Sequence, residues 1–317
     1  MSSAPLFALE RLESSARSSL ASPRPVARNS AILPHEYGFF ALYLLVALRL
    51  IASSGITALP ELLLWTVLAA ASTALVLLTR HRNTTSAWRM RLGGYVVLMN
   101  AAYFCMSAVF ADGDAVRYDA LLQHADTLLF GRPLPLWFDG IAQPGFSDLL
   151  SFCYFLLFPY ILVSCARQLV RLRRAPDEAR AFYSGLLLIY AIGFVGYLFV
   201  PARGAWLDIP AAFRHPIAGG WITALNQQIV ERGSNRVDVF PSLHVAVSAF
   251  ILFFDRRFAP WRYRVYLPAA IGLWVSTVYL RFHYGVDVIA GALLAVIGLR
   301  VAFAMTRGLS TRGDILS

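Results

Sequence analysis

Eight mostly apolar stretches recur along the chain, near residues 39–56, 61–79, 94–111, 149–166, 183–200, 240–254, 265–281 and 285–304. No soluble core of this size absorbs them. The chain is 58% hydrophobic and only 15% charged, against roughly 45–50% and about 25% for soluble proteins. A helix of about 20 residues crosses the ~30 Å hydrocarbon core, and lipid offers no partner to an open backbone, so spanning segments are helices. The sequence therefore predicts an all-α polytopic membrane helix bundle of about eight spans. The sixth and seventh are short and reach across only where the bilayer thins or one end is polar. Disorder, a coiled coil and a secreted disulfide scaffold are excluded.

The net charge of +10 comes entirely from arginine, since the 28 basic residues include no lysine. Arginines massed on one face would suit nucleic acid, but here they fall in short connections between apolar runs, as topology determinants do. Nineteen lie in the N-terminal tail, the 80–93, 167–182 and 255–264 loops and the C-terminal tail, against seven in the alternate loops. That bias predicts both termini in the cytoplasm and the two long loops, 112–148 and 201–239, on the opposite side. Residues 1–36 read as a disordered cytoplasmic tail, with a Ser/Arg-rich transit peptide as the competing reading; 37–305 form one transmembrane catalytic domain, and 306–317 a short cytoplasmic tail. His124 to Phe138 is amphipathic and Pro-broken, which suggests an interfacial or re-entrant piece. Cys105, Cys153 and Cys165 lie in apolar runs without paired spacing, so neither a disulfide nor a cysteine metal site is expected.

Two clusters carry chemistry. The first runs from Asp238 through Phe240, Pro241, Ser242 and Leu243 to His244, directly before an apolar run. With Pro241 at the first helical position, the amides of Ser242, Leu243 and His244 would point freely from a positive dipole end and form an anion site. The second runs from Arg281 through His283 to Asp287 at the start of the last span. Residues four apart share a helical face, so Asp287 can accept from the His283 imidazole. A carboxylate that fixes a histidine tautomer leaves the other nitrogen free to attack, and a second histidine across a bound phosphate can exchange protons with the leaving and entering oxygens. Arginine supplies bidentate donors to phosphate; Arg203, at the end of the fifth span, is placed for that.

Each of these residues also has an ordinary structural use. A histidine at a membrane interface is commonly a polar anchor, and Arg203 alone would be a snorkelling residue. A buried Asp287 inside an apolar span is costly, however, and marks function. Arg49, midway along the first span, either snorkels or pairs with a carboxylate. His35, His81 and His215 sit in loops and are expected to be solvated. Gly291 and Ala295 continue the Asp287 face and allow close helix packing.

At these residues the sequence resembles the type 2 phosphatidic acid phosphatase superfamily, membrane lipid phosphatases related to vanadium haloperoxidases. More narrowly it resembles the inositol phosphorylceramide synthase-like, inositolphosphotransferase branch. The superfamily's PSGH motif stands here as Pro241-Ser242-Leu243-His244. Its SRxxxxxHxxxD motif keeps Ser276, His283 and Asp287, with Thr277 at the arginine position and Arg281 nearby. Its KxxxxxxRP motif is approximated by Val200-Pro201-Ala202-Arg203. The resemblance covers roughly 95–305 and implies a six-helix lipid phosphatase-like core. It implies a double displacement without metal or other cofactor: His283 attacks phosphorus, His244 protonates the leaving group, and Arg203, Ser242 and Arg281 hold the phosphate. Water as acceptor gives a phosphatase; a lipid alcohol such as ceramide gives a headgroup transferase. The implied partners are membrane lipids, not nucleic acid, and the oligomeric state is not legible. A lipid transporter or flippase and a catalytically silent scaffold are the competing readings. The first lacks inverted-repeat signs; the second is opposed by retention of both histidines and the aspartate.

Overall fold

The computed structural model describes residues 32–110 and 117–307, which are helical with no named strand. The helices are α1 (Pro34–Ser54), α2 (Leu59–Thr79), α3 (Thr85–Cys105), α4 (Asp119–Phe130), α5 (Pro144–Phe155), α6 (Leu157–Arg171), α7 (Pro176–Phe199), α8 (Trp221–Gly233), α9 (Leu243–Phe258), α10 (Pro260–Tyr279) and α11 (Gly285–Met305). Proline opens α1, α5, α7 and α10, where its missing N–H and fixed φ cost nothing.

Among the described residues, six spans are long and apolar enough to cross a membrane: α1, α2, α3 with its continuation to Phe110, α5 with α6, α7, and α11. The chain is a multi-pass membrane helix bundle. The other two of the eight expected spans, α9 and α10, differ for a physical reason. Helix α9 has 16 residues and ends in Asp255, Arg256 and Arg257, which at 1.5 Å per residue gives only ~24 Å. Helix α10 carries Arg262 and Arg264 in its first turns. Both are nonetheless packed in the bundle, α9 against α7, α10 and α11. Helix α7 is the central one: 67% of its apolar window is buried, against 28–39% in the other five spans.

The first helix starts earlier than the sequence suggests. His35 and Glu36 are fully buried in α1, so His35 is not a solvated loop residue and the tail boundary at 36 falls inside the helix; residues 1–31 and 308–317 lie outside the described residues. Glu36 takes a bidentate pair from Arg91 at 2.6 and 2.7 Å, both side chains being buried, which ties α1 to α3. Arg262 pairs with Asp255 at 2.7 Å and Arg171 with Glu178 at 2.5 Å, so several arginines counted as loop charges staple helix ends. The Arg49 guanidinium lies 4.8 Å from the Phe110 ring centroid, and among the described residues no carboxylate pairs with it.

The two long connections pack on each other at the end of the bundle where α9 and α11 begin, and aspartates hold them there. Asp119 accepts from the Arg203 and Gly204 amides, Asp139 from those of Arg214 and His215, and Asp148 from those of Gly220 and Thr223. Asp126, fully buried, accepts from Leu134 N at 2.8 Å and from Gly285 N and Val286 N at 2.9 and 2.8 Å. It thereby caps α11 with a carboxylate, the charge a helix N-terminus favours. Helix α4 buries Asp119, Leu122 and Asp126 and exposes Leu121, Leu128 and Leu129, the two-faced pattern expected of an interfacial segment.

Candidate active site

Ser242 caps α9, its hydroxyl accepting from Val245 N at 3.5 Å. Pro241 therefore precedes the cap and is not the first helical residue. The Ser242 amide is also not free: it donates to the Asp287 carbonyl at 3.1 Å. The anion site expected from three outward amides loses one of them, and the Ser242 hydroxyl is spent on the cap. What that amide gains is a link from the first cluster to the second. A Cβ on Gly291 would lie 2.4 Å from the Ser242 carbonyl oxygen, so only glycine lets α11 approach this closely.

The second cluster depends on an unusual turn. After α10 ends, Arg281 adopts φ +70°, a left-handed conformation that costs a non-glycine residue about 1–2 kcal/mol. Its side chain holds the turn: the guanidinium donates to Asp139 Oδ1 at 3.1 Å and to the His215 carbonyl, and lies 3.8 Å from the Phe213 ring centroid. The chain then doubles back so that His283 N donates to the Thr277 carbonyl at 3.0 Å. Arg281 is thus committed to the loop rather than free for phosphate. His215, expected to be without a partner, lies 3.4 Å from Asp139 through Nδ1. Burial opposes ionisation of Asp139, but the Arg214 and His215 amides, the His215 ring and the Arg281 guanidinium hold its carboxyl below the usual range.

These turns bring His244 and His283 face to face. His244 Nδ1 lies 3.3 Å from His283 Nε2. Behind His283, its Nδ1 is 3.6 Å from Asp287 Oδ2, longer than a hydrogen bond. That oxygen accepts instead from the Tyr284 amide at 2.8 Å, while His283 Nδ1 and Asp287 Oδ1 are buried without hydrogen-bond partners. The expected dyad is assembled but not closed. His283 is 2% exposed, and burial lowers its imidazole from 6.5 to about 4, which keeps it neutral at physiological pH.

His244 has a partner that no local pattern announced. Its Nε2 lies 2.7 Å from the Tyr154 hydroxyl, with the rings 4.6 Å apart. Ser248, one turn along, donates to backbone carbonyls of its own helix. With Asp287 ionised the row can run from Tyr154 O–H to His244 Nε2 and from His244 Nδ1–H to His283 Nε2, with His283 Nδ1–H facing Asp287. In that arrangement the one lone pair of His283 Nε2 accepts the His244 Nδ1 proton, and it is freed toward a substrate only when the rings part.

Arg203 follows the bridge between Ala202 and Asp238, which lays its segment beside the first cluster. Its side chain is exposed and within electrostatic reach of Asp208 and Arg117. Thr277, at the family's arginine position, is fully buried and donates to the Trp274 carbonyl. Among the described residues no group of three or more His, Cys, Asp or Glu side chains is arranged to hold a metal.

A family model described as the PAP2 superfamily matches residues 121–301, a segment that contains both histidines, Asp287, Tyr154 and Arg203. Comparison with curated proteins and with solved structures finds no match.

Proposed function

Because the chain belongs to the PAP2 superfamily, whose members are phosphatases, we propose that it is a membrane lipid phosphatase or headgroup phosphotransferase working through a phosphohistidine on His283. The observation that carries this reading is the opposition of His244 Nδ1 and His283 Nε2, with Asp287 behind the second ring. Nitrogens 3.3 Å apart leave no room for a phosphoryl group, so substrate entry parts the rings. His283 Nε2 then attacks phosphorus, and the bond to the lipid oxygen breaks as His244, doubly protonated once the phosphate anion is bound beside it, gives that oxygen its Nδ1 proton and returns to the neutral ring. Asp287 stabilises the positive charge that develops on His283. In the second half, water or a lipid hydroxyl gives its proton to His244 and takes the phosphoryl group from His283. Arg203, exposed and next to the Ala202–Asp238 bridge, is assigned to the phosphate; Ser242 and Arg281 act by holding the two turns. No step requires a metal.

The decisive experiment uses a radiolabelled phospholipid with the purified protein and an acid-free quench. An acid-labile, base-stable label on His283, absent from His283→Ala, is expected. A labelled His244 would exchange the roles, and no labelled protein with full turnover would refute the covalent route. Water and a lipid alcohol are separated in the same reaction by released phosphate against new phospholipid. The arginine bias further assigns both termini to the cytoplasm and the site to the opposite face. A cysteine at Trp221, which is 75% exposed, should then react with an impermeant thiol reagent added to the extracytoplasmic side.

A further inference from the structure

A cavity of about 480 Å³ lies against His244, walled by α3, α6, α7, α8 and α9. Its size is that of a ligand pocket. Phe104 of α3 and Phe158 and Leu162 of α6 belong to its wall and are 66%, 44% and 70% exposed. Its side therefore opens onto the lipid-facing surface between α3 and α6. The wall is mostly apolar, and its polar groups include Asp238, Tyr103, Tyr154 and His244. His244 borders the cavity, whereas the buried His283 is not among the residues that line it.

Asp238 decides what head group fits. Tyr103 donates to its Oδ2 at 2.6 Å and Ser234 to its Oδ1 at 2.7 Å. Each carboxylate oxygen retains a lone pair for a further donor. A fixed negative charge in an apolar wall repels a phosphate, and weak screening there makes the repulsion stronger than in water. A hydroxyl, by contrast, donates to it. We propose that this cavity binds an uncharged lipid alcohol, chain between α3 and α6 and hydroxyl at Asp238 beside His244, and discriminates against the corresponding phosphate. The inference rests on the phosphotransfer reading above and gives the acceptor alcohol of that reaction a site of its own.

The test is photolabelling with a diazirine-bearing dioctanoylglycerol on the whole protein in detergent, with the labelled peptides mapped by mass spectrometry. Label is expected on the segments carrying Phe104, Phe158 or Leu162. Unlabelled dioctanoylglycerol should displace it at a concentration at least tenfold below that of dioctanoyl phosphatidate, and Asp238→Asn should narrow that gap severalfold. Equal displacement by the phosphatidate or by phosphatidylcholine, or label elsewhere, would overturn the proposal. If Asp238→Asn does not fold, the displacement ratio of the unmodified protein decides alone. His283→Ala should label like the parent, so failure of the phosphohistidine reading leaves this result separately readable. Adding dioctanoylglycerol during turnover completes the test: a new phospholipid is expected, and inhibition without one would overturn the acceptor role.

Discussion

Asp126 joins the loop to the last helix, and its two conservative replacements should separate by a calculable margin. Its Oδ2 accepts from Leu134 N and Gly285 N, and its Oδ1 from Val286 N. An asparagine can keep its oxygen at the Oδ2 position and retain two of these bonds, but its NH2 then faces the Val286 N–H. One amide is lost, at about 1–3 kcal/mol. Alanine removes both acceptor oxygens and with them all three bonds, so its cost is about threefold larger, on the order of 3–9 kcal/mol before water reaches the loop. The carboxylate's interaction with the α11 dipole, about 0.3–1 kcal/mol, is lost in both. Thermal unfolding of the detergent-purified protein should rank parent, Asp126→Asn and Asp126→Ala in clearly unequal steps. Because Gly285 follows His283 by two residues, phosphoenzyme formation should fall in the same order. Equal melting of the two variants, or no change in either, would refute the view that this carboxylate sets the start of α11.

Asp287→Asn should leave the fold intact while slowing turnover about a hundred- to a thousandfold, the usual cost of removing one positioned electrostatic partner; steady-state kinetics at full rate would contradict the dyad. Tyr154→Phe deletes the group facing His244 Nε2 and should lower kcat with poor alkoxide leaving groups more than with aryl phosphates, a difference absent if the residue only packs. The lowered pKa of His283 has a definite sign: the nucleophile stays unprotonated as pH falls below 6.5 and is lost only toward about 4, so phosphoenzyme formation from an aryl phosphate should persist at pH 5. An acid limb near 6.5 would show that burial does not govern this ring. Chelators should leave turnover unchanged while vanadate inhibits, and activity restored by a divalent ion after chelation would rule out the metal-free scheme.

The helices were legible because lipid imposes a single local rule, a long apolar run, that needs no knowledge of the partner. The proximity of His283 and Asp287 was legible because both lie in one short stretch of chain, whereas their approach to His244, 39 residues earlier, is seen only in the fold. What escaped were bonds to distant residues. Tyr154 is 90 residues from His244, and within its own span it reads as one more aromatic. Arg281 reads as a phosphate ligand until Asp139, 142 residues away, is found holding it. His35 resembles a tail residue until α1 begins at Pro34. The PSxH segment suggested free amides because the sequence could not reveal that the Asp287 carbonyl takes one of them.

That last bond, with the glycine contact beside it, fixes how the protein can admit its substrate. The turn carrying His244 and the helix following His283 are joined through backbone atoms at Ser242 and Asp287, and Gly291 leaves no slack between them. Relative sliding of α9 and α11 would break both contacts at once. Separation of the two imidazoles is therefore a matter of side-chain rotation over a fixed floor. On the entry route proposed above, α3 and α6 would move apart without shifting the backbone that carries His244 and His283.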